Sequence, residues 1–156
     1  MLRRLFPVRL DNAGYRGRVA ALWLFALFLL LRAIMGLNGA LNTRAVATGA
    51  DGIRLDGLGE GGAETILLLF RSLSLAQLPL VAIGAAAVWR WRAMVPFLYL
   101  VLLAEQLVRR LAAPANADAR TEAGAVGMWI DLALLALLCA GLALSLWTAP
   151  QRDASS

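Results

Sequence analysis

Four ionisable residues, Arg32, Arg71, Glu105 and Asp131, each lie inside a different long apolar run of a 156-residue chain. A charge within a segment long enough to cross a bilayer costs about 3 kcal/mol or more against lipid unless it finds a partner or water. Two guanidiniums and two carboxylates, one pair of signs spread over four runs, can neutralise one another. They can also hold an anionic headgroup, a carboxylate or a quinone-type carbonyl. A desolvated carboxylate, Glu105 or Asp131, can in addition carry a proton. Asn38, Gln77 and Gln106 fall near the same places and supply the amides that complete a hydrogen-bond network.

Other chemistries are excluded by residue type. The chain has no histidine and a single cysteine, Cys139, which removes imidazole acid–base catalysis, histidine-ligated metal or haem, and any internal disulfide or CxxC pair. No nucleophile with a paired base is visible. Ser72 and Ser74 flank Arg71, but serines within a helix characteristically bond a carbonyl one turn back. Gly57, Gly59 and Gly62 match GxGxxG in form and lack the strand–turn–helix setting that fingerprint needs. Asp51, Asp56 and Glu60 lack the alternating spacing of a calcium loop. No catalytic residue, metal or cofactor is expected, and Cys139 reads as a small buried hydrophobe.

The elements that must position the four charges are helices in a membrane. Hydrophobic residues are 61% of the chain and mean hydropathy is +0.72, beyond what a soluble domain carries. Spanning helices are expected over about 19–41, 64–89, 94–112 and 126–148, with an outer loop at 42–63, all within one membrane domain covering 1–156. Pro79 should bend the second helix, Arg90–Arg92 is a tight turn, Pro96 suits the first turn of the third helix, and Pro150 ends the fourth. The glycine-rich loop should form turns or a small hairpin over one mouth. A secretory leader ending near Ala45–Ala47 is rejected, because Arg32 interrupts the distance to that site. Met1–Arg18, basic with interleaved Leu2, Leu5, Phe6, Val8 and Leu10, suits the headgroup layer or a solvated basic tail.

Arginine counts set the orientation. The side with both ends and the Arg90–Arg92 turn has eight arginines and two acids, and the other has five arginines and six acids. Both termini are expected in the cytoplasm, so the net charge of +5 reflects membrane topology and no nucleic-acid partner is expected. Trp23, Trp89, Trp91 and Trp147 then fall near the inner interface and Trp129 near the outer one. At about 1.5 Å rise per residue, Arg32, Arg71, Glu105 and Asp131 share one level, roughly 7–14 Å from the outer face. Three other readings compete. Paired charges can serve packing and register alone, Glu105 can pair with Arg109 one turn away on its own helix, and Asp131 can face headgroups.

The loop GADGIRLDGLGEGGAE, the following helix with Arg71, and the stretch WRWRAMVPFLYLVLLAEQLVRR resemble the small four-helix bacterial membrane proteins of the DoxX-like group, including DUF4345-type members. The resemblance covers roughly Arg32–Arg110. It implies an integral four-helix protein, in that group sometimes tied to membrane redox or stress complexes, and it supplies no catalytic residues. The expectation is an all-α, integral membrane antiparallel four-helix bundle of a bacterial inner (cytoplasmic) membrane. Its role would be that of a non-enzymatic accessory or binding subunit. Its partners would be membrane lipid, an anionic or quinone-like headgroup, other membrane proteins or further copies of itself. A small anion or proton-coupled transporter is the alternative, and a lipid-modifying enzyme a more distant one.

Overall fold

A computed structural model describes residues 15, 17–112 and 124–147. The expected headgroup-layer segment, apart from its last few residues, the polar connection at Pro114–Gly124 up to its final residue, and the stop at Pro150 lie outside the described residues. Those described are mostly helical and form no β-strand. Four long helices carry the architecture: α1 (Val19–Leu41), α2 (Gly59–Arg90), α3 (Val95–Ala112) and α4 (Gly124–Leu146). Val19–Leu41, Gly61–Arg90 and Gly127–Leu146 are long and apolar enough to cross a membrane. Helix α3 has 18 residues, with Glu105, Arg109 and Arg110 in its second half.

The ends follow local chemistry. Trp91 N–H donates to Ala87 O at 2.9 Å and Met94 N–H to Trp91 O at 2.8 Å, closing the short connection between α2 and α3. Pro96 occupies the first turn of α3, where its missing N–H has no helical partner to lose. Helix α2 starts earlier than its first charged apolar turn suggests. Gly59, at φ 66°, is where the chain swings into it, and the glycines Gly61 and Gly62, weak helix formers, are nonetheless helical.

Of the turns or small hairpin expected between α1 and α2, the chain takes turns. Thr43–Ala45 makes one helical turn and Val46–Ala50 a π-turn, with Asp51 N–H donating to Val46 O at 3.1 Å and Ile53 N–H to Ala47 O at 2.9 Å. Gly52 supplies the φ of 65° that ends the π-turn, a conformation costly to residues with a Cβ. Ala47 and Leu55 are buried, so the segment packs down onto the helices rather than standing clear of them.

Close approaches give the helix directions. Leu29 lies against Gly84, and Gly36 and Gly39 lie against Ser74, so residue numbers rise along α1 as they fall along α2. A Cβ on Gly39 would come within 2.5 Å of Ser74 Oγ. Small residues that let backbones meet are the means by which helices associate in lipid, where burial of apolar surface offers no advantage over lipid tails. Tyr99 Oη donates to Ala21 O at 2.7 Å, and Arg32 reaches Glu105, which sets α3 running with α1. Arg18 N–H donates to Leu144 O at 3.4 Å, so the end of α4 meets the start of α1.

At that end Phe25, Phe28, Val95, Tyr99 and Leu138 are fully buried. The Phe25 and Tyr99 rings meet edge to face at 4.7 Å and 62°, and Gly141 leaves the space that the Tyr99 ring fills. Cys139 is exposed, not buried as its apolar setting suggested. Helix α4 is apolar on every side, so its sequence carries no periodicity that marks the inward face. Leu134 and Leu138 turn in, and Cys139 points away.

Candidate ligand cavity

Arg32 is held at the centre of a side-chain chain that joins three helices. It is 3% exposed, and its Nη2 donates to Glu105 Oε2 at 2.5 Å. Arg109, one turn beyond Glu105 on α3, donates to the other carboxylate oxygen, Oε1. Glu105 thus accepts two guanidiniums at once, one on each oxygen. This geometry is the i,i+4 pair legible in the sequence with a second cation added from α1.

Gln106 extends the chain to α4. Its Oε1 accepts from Arg32 Nη1 at 3.4 Å, and its Nε2 donates to Asp131 Oδ1 at 3.1 Å. The side chain is 2% exposed, so both halves of the amide are used where water is scarce. Of the three amides singled out in the sequence, Gln106 bonds to Arg32 and Asp131, while Asn38 bonds to Asn42 and Gln77 lines the cavity. The ring of Phe28 lies 5.8 Å from the Arg32 guanidinium carbon, adding an aromatic face beneath the cation.

Above this network is a cavity of about 530 Å³. Arg32, Asn38, Gln77 and Asp131 line it, as do Arg109, Arg110, Asp51 and Ser74. Met35, Phe70, Leu73, Met128 and Ile130 form an apolar part of the same wall. A lining that holds both charged and apolar side chains suits a molecule with a polar head and an apolar body. Asn38 also accepts from Asn42 Nδ2 at 2.7 Å, which steadies the last turn of α1. The π-turn closes part of the mouth through Val46, Ala50 and Asp51, and it does so because α4 has a glycine beneath it. A Cβ on Gly127 would lie 2.7 Å from Ala50 O.

Arg71 does not join the other three charges. It is exposed, lies outside the cavity wall and pairs with neither Glu105 nor Asp131. The reason is one of level. Gly39 faces Ser74 and Leu29 faces Gly84, so the point on α2 opposite Arg32 is near Val81. Arg71 is ten residues from there, about 15 Å along the axis. Arg109 takes the place expected for Arg71 as the second cation. Ser72 and Ser74 do bond one turn back, to Leu68 O and Phe70 O at 2.9 Å.

Arg110, Asp51 and the π-turn carry no sequence signal for this site. A loop's fold onto a helix end depends on contacts such as Ala50 to Gly127, which no local pattern announces. Among the described residues no group of three or more acids or cysteines could hold a metal ion, and no nucleophile–base pair lies at the cavity. The arrangement holds three arginines, Arg32, Arg109 and Arg110, at one cavity beside the carboxylate of Asp131. No family model, no curated protein and no solved structure matches this chain.

Proposed function

We propose that this chain is a multi-pass protein of a bacterial inner membrane, folded as an antiparallel four-helix bundle with both termini in the cytoplasm. It acts as a non-enzymatic binding or accessory subunit, holding the anionic or quinone-like head of an amphiphile in the cavity at the outer end. The observation that carries this reading is the cavity wall itself. Arg32, Arg109 and Arg110 face one space together with Met35, Phe70 and Leu73.

Helix α3 is the test of the membrane reading, because three charged residues within its 18, Glu105, Arg109 and Arg110, set it apart from the other three helices. Its charge at Glu105 is met by Arg32 and Arg109, and ionisable groups in spanning helices are tolerated where they face partners in the protein interior. Counting about 20 residues back from Trp89 at the inner interface reaches Phe70. Arg71 then stands at the outer headgroup level, where an exposed guanidinium is solvated. The exposed faces of Trp23, Trp89, Trp129 and Trp147 fit interfacial anchoring at helix ends.

Thermal unfolding of the purified protein in mild detergent, with and without bacterial lipid and quinone extracts, tests the binding reading. A saturable rise in unfolding temperature supports it. An unchanged temperature with every extract returns the charges to a purely structural role. Accelerated release of a solute from proteoliposomes would instead favour the transporter, and lipid turnover an enzyme.

A further inference from the structure

The charges around the cavity are not equivalent, and their pairing points to the class of head it takes. Glu105 is spent: its two oxygens each accept a guanidinium, from Arg32 and Arg109. The cluster Arg32–Glu105–Arg109 therefore has one positive charge left over. Arg110, on the same turn of α3 as Arg109, lines the cavity and makes no ion pair among the described residues. Asp131 lies on α4 and also lines the cavity. Its partner in the network is the neutral amide of Gln106, through Oδ1 at 3.1 Å, and among the described residues no cation comes within ion-pairing distance of it. One wall thus presents surplus positive charge from α3, and another presents a carboxylate from α4 that is oriented by an amide but not neutralised.

Resting on the binding reading above, we propose that the cavity is specific for a zwitterionic head, in which an anionic phosphate or carboxylate meets Arg109 and Arg110 and an ammonium meets Asp131. A purely anionic head satisfies the α3 wall and leaves Asp131 facing like charge. A zwitterion satisfies both walls and carries no net charge into the membrane. The apolar side chains Met35, Phe70 and Leu73 give a lipid's glycerol and upper acyl region somewhere to rest. The same head chemistry also occurs in small soluble zwitterions, and the choice between the two sources is open to measurement.

The full-length protein in mild detergent is titrated by thermal shift with phosphatidylethanolamine, with phosphatidylglycerol, and with soluble glycerophosphoethanolamine, a phosphodiester zwitterion. The comparison chain is Asp131→Asn, whose amide oxygen keeps the acceptor for Gln106, and its unliganded melting curve reports whether it folds. Wild type is expected to bind phosphatidylethanolamine about tenfold more tightly than phosphatidylglycerol, the ratio that one added ion pair of about 1.4 kcal/mol supplies, and Asp131→Asn to bring that ratio to about one. Glycerophosphoethanolamine matching the lipid identifies a soluble zwitterion as the ligand, and a response to the lipid alone identifies a headgroup. Equal or tighter binding of phosphatidylglycerol by wild type overturns the zwitterion assignment while leaving the cavity a binding site. So does a preference that survives in folded Asp131→Asn. Absence of any response to all three overturns the binding reading itself.

Discussion

Gln106 Nε2 donates to Asp131 Oδ1 at 3.1 Å, and this one contact ties the charged turn of α3 to α4. The same amide accepts from Arg32, so a neutral side chain couples a cation on one helix to an anion on another. An amide at this position orients both side chains, while the charge of Arg32 itself is met by Glu105.

Replacing Gln106 by leucine removes both contacts in a site that is 2% exposed. Leaving buried polar groups unmet costs about 1–3 kcal/mol. The unfolding temperature of Gln106→Leu should fall, and ligand stabilisation should weaken with it, because Asp131 loses its orientation.

Arg32 and Glu105 should behave as a unit. Breaking a buried pair by removing one partner costs roughly 3–5 kcal/mol, and the exposed part of Glu105, 27% of its side chain, together with its second partner Arg109, places it at the lower end. Arg32→Met, Glu105→Gln and the double variant form a cycle read by unfolding in detergent. The double loss should be smaller than the sum of the single losses, since the second substitution removes a group already without its partner.

Arg71 should be dispensable for stability. Surface substitutions away from buried networks change stability by about 0.5 kcal/mol or less, and Arg71→Gln is expected within that range. A loss equal to that of Arg32→Met would place Arg71 in the buried network after all.

Tyr99 and Gly141 make a separate prediction at the other end. A methyl group on Gly141 would overlap the Tyr99 hydroxyl and ring, and overpacking of this kind costs about 1–3 kcal/mol. Gly141→Ala should lower the unfolding temperature, and Tyr99→Leu in the same chain should recover part of that loss.

The helices were legible because apolar runs of spanning length bounded by Arg90–Arg92 and by prolines leave little choice of fold. Arg32, Glu105, Gln106 and Asp131 were legible as a layer because each polar residue interrupts such a run. Arg71 was misplaced for a physical reason. Its depth was counted from the ends of its own run, whereas the Gly39–Ser74 and Leu29–Gly84 contacts slide α2 by about three turns relative to Arg32. Cys139 was misread because α4 is apolar all round. The π-turn and Asp51 depended on tertiary contact with Gly127, which no neighbouring residue in the sequence foretells.

The account stands or falls on whether the cavity lined by Arg32, Arg109 and Arg110 holds an amphiphile. Native mass spectrometry of the protein released from mild detergent, wild type beside the Arg109→Gln, Arg110→Gln double variant, reads this directly. The account predicts a retained lipid or quinone-like molecule near one per chain in wild type, strongly depleted in a double variant that still unfolds cooperatively. A wild-type protein that emerges without any such molecule, or a double variant that keeps it equally well, contradicts the account and leaves the charged network as a fastening between helices.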